Sequence, residues 1–112
     1  KWVNYKSNGG WLTRTEGFAA SVGSDDVDVV FLGDSLIENC QTDLAFPSIS
    51  SMNQGVSGDV TEGVLNRLDL VRAFSPRVVV LEIGTNDLGR IGDVGSAARG
   101  VCSIVENLRG GV

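Results

Sequence analysis

The chain contains no histidine. That excludes any His-based zinc site and removes the side chain best suited to general-base work near neutral pH. Cysteine is scarce: Cys40 and Cys102 are the only two in 112 residues. They are too few for a disulfide scaffold and lack the spacing of a metal-binding motif. Long apolar runs are missing. Val29-Val30-Phe31-Leu32 and Val78-Val79-Val80-Leu81 are strand-sized, far short of the ~20 residues a membrane-spanning helix needs. Positive charge is in the minority, with nine Lys and Arg against fourteen Asp and Glu for a net charge of −5. The basic residues are scattered, so no patch is ready for a phosphate backbone and nucleic acid is not expected as a partner. The chain opens at Lys1, and residues 1–10 show no apolar leader segment. The expectation is a processed chain or a fragment, and the composition fits cytosol and secretion alike.

Hydrophobic residues make up 42 % and charged residues 21 % of the chain, the profile of one ordinary globular domain. Glycine is plentiful, at 15 of 112 residues. The glycines fall where an apolar run gives way to a helical pattern, as the turns between strands and helices require. The pattern predicts a first helix over 11–22, packed on the sheet edge, and a loop at Gly23-Ser24-Asp25-Asp26. A doubly buried strand over 27–32 ends at Gly33 and is followed by a helix over 36–45, stopped by Pro47. A weak strand over 48–53 leads into a Gly-rich turn, Gln54-Gly55-Val56-Ser57-Gly58. Asp59 and Glu62 have capping-box spacing at the start of a helix over 60–73, stopped by Pro76. A third strand follows over 77–83. Val94, Ala97, Ala98, Val101, Ile104, Val105 and Leu108 mark a final helix, with Gly110-Gly111 as its stop signal.

An initial helix and three β-α repeats imply right-handed crossovers. The expected fold class is α/β: a three-layer α/β/α sandwich with a parallel, flavodoxin-like sheet of strand order 2-1-3. Three strands are few for that architecture, so further strands are expected beyond Val112. The single domain, 1–112, is expected to be truncated before its carboxyl-terminal part. Its last helix and third strand should then expose apolar surface and behave poorly in solution. Cys40 and Cys102 fall on crossover helices of opposite faces. They are expected to be unbridged and buried as packing residues.

Each predicted strand is followed by a polar cluster: Gly33-Asp34-Ser35-Leu36, then Asn53-Gln54-Gly55-Val56-Ser57-Gly58-Asp59, then Gly84-Thr85-Asn86-Asp87. Ligands of open parallel sheets bind outside the carboxyl ends of the strands, so the three clusters should converge there. Ser35 sits on a tight strand-to-helix turn that exposes its hydroxyl beside backbone N–H groups. Gly58 lets a substrate approach a backbone N–H, and Asn86 offers an amide donor. A hydroxyl ringed by such donors is suited to acyl transfer to water through an oxyanion hole. Asp34 and Asp87 are expected to orient loops, Asp59 to cap a helix and Glu82 to be structural. A carboxylate beside Ser35 is a poor substitute for imidazole, because its ordinary pKa lies near 4. Neither Gly-rich turn matches a dinucleotide or P-loop fingerprint.

These three blocks resemble those of the SGNH or GDSL esterase/lipase superfamily. The likeness is strongest to the branch of platelet-activating-factor acetylhydrolase catalytic subunits and carbohydrate esterases, and it runs from about Trp11 to Leu108. The stretch Thr61-Glu62-Gly63-Val64-Leu65-Asn66-Arg67-Leu68 also resembles that branch. The resemblance implies Ser35 as nucleophile and Gly58 and Asn86 as oxyanion donors. It implies no metal or organic cofactor, and as partner a small acyl ester of a sugar or lipid alcohol. The family's general base is a His in an Asp-x-x-His block near the end of a domain nearly twice this long, and this chain lacks it. The chain by itself is therefore expected to show little turnover. The alternative is a degenerate domain that binds an ester or glycan without hydrolysing it. Glu38-Asn39-Cys40 departs from the Gly and aromatic residue that relatives often carry after the first block. That leaves the pocket wall open.

Overall fold

Apolar, β-branched runs form the centre of a parallel sheet, as burial on both faces demands. In the structure, a computed structural model, residues 9–23, 27–90 and 92–110 are described. Strand β1 (Val29–Gly33) lies between β2 (Ser51–Gly55) and β3 (Val78–Glu82), giving the order β2-β1-β3 with both pairings parallel. The expected order and helix-covered α/β layering are what is seen. Much of the loop expected at 23–26, and Gly111 of the expected stop signal, lie outside the described residues.

Helix α1 (Gly9–Ala20) packs beside β2, with Trp11 and Phe18 buried against Val56, Val60 and Met52. The larger core lies on the sheet face of Val30 and Leu32. There α4 (Thr61–Leu65) and α5 (Leu68–Arg72) supply Val64, Leu68 and Val71, and α7 (Val94–Gly110) supplies Ile104. On the opposite face, Phe31 stacks on Phe46 at 5.7 Å between ring centroids. Phe46 follows α3 (Thr42–Ala45), which itself follows α2 (Ser35–Glu38). The sixth helix, the short α6 (Thr85–Arg90), joins β3 to α7.

Several elements differ from the sequence expectation, each for a local reason. The helix expected over 36–45 is two short helices. Asn53 Nδ2 donates to the carbonyls of Ile37 and Cys40, satisfying groups that a continuous helix would have used itself. The helix expected over 60–73 breaks at Asn66 and Arg67, because the Arg67 side chain turns inward to the strand ends. Strand β2 begins three residues later than expected, since Ser51 pairs with Val29 and its polar residues find partners across the layer. Helix α6 is new, hidden in the sequence by Gly84 and Gly89.

The cysteines are free but exposed, which corrects the expectation of buried packing residues. Cys40 lies in the break between α2 and α3, and Cys102 on the outer side of α7. Of the apolar positions on α7, Ala97 and Ile104 are buried, whereas Val94 and Val105 are exposed, as are Val78 and Val80 on β3.

Candidate active site

The register sets Gly33 opposite both Gly55 and Glu82. The three strands therefore end level, and their following loops leave from one edge of the sheet. In the first loop Asp34 caps α2: its Oδ1 accepts from the Leu36 N–H at 3.0 Å. Ser35, the first residue of α2, is half-buried. In the second, Gly58 adopts φ +80°, a left-handed conformation that glycine takes without strain. In the third, Asn86 Nδ2 donates to the Asp59 carbonyl at 3.0 Å, joining the second and third loops. Ser35 is not hydrogen-bonded to Gly58 or Asn86 among the described residues. Its place at the same rim follows from the strand register.

Asp87 is buried and grips the start of α4 from outside that helix. Its Oδ1 accepts from the Thr61 N–H at 2.9 Å and its Oδ2 from the Thr61 hydroxyl at 2.7 Å. The expected Asp59–Glu62 capping box does not form. The residue preceding α4 is Val60, without a side-chain cap, and Glu62 is exposed. Asp59 is instead buried in an ion pair with Arg67, 2.9 Å from Nε to Oδ2.

Arg67 is the main residue that the sequence did not reveal. Its Nη1 donates to the Gln54 carbonyl at 2.8 Å and its Nη2 to the Gly33 carbonyl at 3.0 Å. One guanidinium thus ties the ends of β1 and β2 to the Gly58-Asp59 turn, a use of its planar fork that an ammonium could not match. Burial pushes the Asp59 carboxyl up and the Arg67 guanidinium down, and their mutual attraction opposes both effects. Arg67 keeps its proton, because a guanidinium remains charged far above neutral pH. The stretch from Thr61 to Leu68 resembles the family, but an isolated Arg on an amphipathic helix reads as a solvated residue, so nothing within that stretch sets Arg67 apart.

Arg14 of α1 donates to the Gly55 carbonyl through Nε and Nη2, at 3.0 and 2.7 Å. Glu38 Oε1 accepts from the Ser57 N–H at 2.8 Å and lies 3.6 Å from Arg14 Nε. Glu38, at the departure noted after the first block, thereby braces the Gly58 loop. Among the described residues, no group of three or more His, Cys, Asp or Glu side chains is placed to hold a metal ion.

The model of the GDSL-like lipase/acylhydrolase family matches residues 14–111. Curated relatives include platelet-activating factor acetylhydrolase IB subunit alpha1 of Bos taurus, 30 % identical over 107 residues, covering 90 % of this chain and 45 % of that protein. The Drosophila melanogaster homolog of the beta subunit is 30 % identical over 105 residues, covering 88 % and 46 %. A solved structure from Streptococcus pneumonia, described provisionally as a platelet activating factor, superposes with a TM-score of 0.76. At 24 % identity it covers 88 % of this chain and 48 % of its own, and it supports the fold. The chain spans less than half the length of these relatives.

Proposed function

Because the chain belongs to the GDSL-like lipase/acylhydrolase family, we propose that its rim of Ser35, Gly58 and Asn86 is the nucleophile and oxyanion part of a serine esterase. The level ending of the three strands, with Asn86 joined to the Gly58-Asp59 turn, carries this reading. The Ser35 hydroxyl attacks the carbonyl carbon of an ester, and the alcohol leaves from the tetrahedral intermediate. Water then releases the acyl group. Negative charge on the former carbonyl oxygen is met by the N–H groups of Ser35 and Gly58 and by the Asn86 amide. A carboxamide NH₂ has two hydrogens; one is bonded to Asp59, and the other serves the oxyanion. Each such donor is worth about 2.7–4 kcal/mol of barrier.

Small acyl groups on a sugar or lipid alcohol are the proposed substrates. The acetylhydrolase relatives favour acetyl. Asp34 and Asp87 act here through hydrogen bonds that hold the loops, and Asp59 through its bond to Arg67. The proton of Ser35 needs an acceptor, and the chain has no histidine to supply one. That same observation favours a second reading, a domain that holds an ester or glycan without turnover.

Labelling with a fluorophosphonate, with imidazole added as an external base, tests the first reading. The label is expected on Ser35, lost in Ser35→Ala and slowed about 10²–10³-fold in Asn86→Ala. Labelling that persists in Ser35→Ala overturns the assignment. Binding of an acetyl ester with no labelling under any base favours the second reading.

A further inference from the structure

Two carboxyl groups meet behind the Ser35 turn. Asp34 follows the end of β1, and Glu82 ends β3, with Gly33 opposite Glu82 in the register. Gly33 has no side chain to hold the strands apart. A Cβ there would lie 3.1 Å from Glu82 Oε1 and would collide with the Glu82 carbonyl oxygen. Asp34 is 1 % exposed. Its Oδ1 is bonded to Leu36, but its Oδ2 and Glu82 Oε1 are both buried without a donor among the described residues. Two carboxylates placed this way repel, and each unmatched acceptor costs desolvation energy. One proton relieves both problems by converting an acceptor into a donor.

We propose that Asp34 and Glu82 hold a single proton between them, carried on Glu82 and donated to Asp34, which makes Glu82 a positioning residue for the turn that bears Ser35. Protonated Glu82 ties β3 to Asp34, and Asp34 holds Leu36 through its other oxygen. When the proton leaves, adjacent negative charges push Asp34 off that bond. A Cβ on Gly33 would meet both Ile37 Cγ1 of α2 and Glu82 Oε1, and among the described residues Asp34 is the charged group that acts on Glu82. Arg67 reaches the Gly33 carbonyl, but its charge is met by Asp59. Burial first, and then the hydrogen bond and charge of Asp34, push the Glu82 carboxyl up to about 7, against a weaker opposing contact from the Asp34 backbone. The pair stands independently of the esterase reading; only the use of the turn to aim Ser35 rests on it.

Carboxyl-carbon NMR titration of the 112-residue chain, followed together with the Leu36 amide resonance, tests the pair. Glu82 is expected to titrate at least about one pH unit above an ordinary glutamate, with the Leu36 amide moving at the same midpoint. Glu82→Gln donates the same bond without a titrating proton, so its Leu36 amide should stay at the low-pH wild-type position. In Asp34→Asn the Glu82 midpoint should fall by about one pH unit or more. An ordinary Glu82 titration, or a Leu36 amide that titrates equally in Glu82→Gln, overturns the proposal. None of these signals depends on Ser35 reactivity, so an unreactive Ser35 beside a shared proton refutes the esterase reading alone.

Discussion

Arg67 and Asp59 form an ion pair of 2.9 Å whose side chains are 1 % and 0 % exposed, and the pair stands directly behind the rim that carries Gly58. Burying two charges is costly, and here the cost is offset only because Arg67 also donates to the carbonyls of Gly33 and Gln54. Arg67→Ala leaves the Asp59 carboxylate buried without its counter-charge, although its Oδ1 still accepts from the Val60 N–H. Urea unfolding is expected to show a loss of about 3–5 kcal/mol. Arg67→Lys should recover little of it, since one ammonium cannot serve three acceptors in a fork. A loss under about 1 kcal/mol in Arg67→Ala would show that the pair does not hold the loops.

Asp87 and Thr61 share two bonds at the foot of α4. Asp87→Ala leaves the buried Thr61 N–H and hydroxyl without acceptors, at about 1–3 kcal/mol for each group left unmatched. Asp87→Asn keeps one acceptor and should cost less. Equal melting temperatures for the two variants would contradict the two-bond account.

Gly58 holds φ +80° in the loop proposed to donate to the oxyanion. Gly58→Ala forces a side chain into that conformation, at about 1–2 kcal/mol. The turn should then relax toward negative φ and withdraw its N–H. Fluorophosphonate labelling is expected to slow more than the stability loss alone explains. Unchanged labelling would remove Gly58 from the donor set.

Glu82 sets a sign for the dependence of stability on pH. Its carboxyl stands near 7 in the fold against an ordinary 4.5. The folded chain therefore binds a proton more tightly than the unfolded one. The contribution from Glu82 is fully present below about pH 4.5 and is lost as the pH rises through about 7. Unfolding free energies at pH 5 and pH 8 should differ more in the wild type than in Glu82→Gln. Equal differences would assign the trend to the general excess of negative charge instead.

The legible parts of the fold were those written in local pattern. Strands β1 and β3 are apolar, β-branched runs, and both lie within two residues of their expected bounds; central β1 is buried, whereas β3 at the sheet edge leaves Val78 and Val80 exposed. The 3.6-residue period marks α7, although its flanking Val94 and Val105 are exposed. Ser35, Gly58 and Asn86 were legible as residues that closely follow three strands, because the chain direction alone sends those segments to one edge. Strand β2 was harder. Ser51, Asn53 and Gln54 are polar, and their place in the sheet depends on partners elsewhere, such as Ile37 and Leu70.

What the amino-acid order determined by itself, then, is the alternation of elements, the parallel sheet and the identity of the polar loops, since each follows from hydrophobic period and chain direction. Tertiary structure alone decided where the helices break, that Asp59 pairs with Arg67 instead of capping α4, and that Glu82 faces Asp34. Those outcomes depend on burial and on hydrogen bonds between distant residues, such as Arg67 with Gly33 and Asp87 with Thr61. Desolvation makes each such partner choice strongly favoured once the layers close, and no neighbour along the chain announces it.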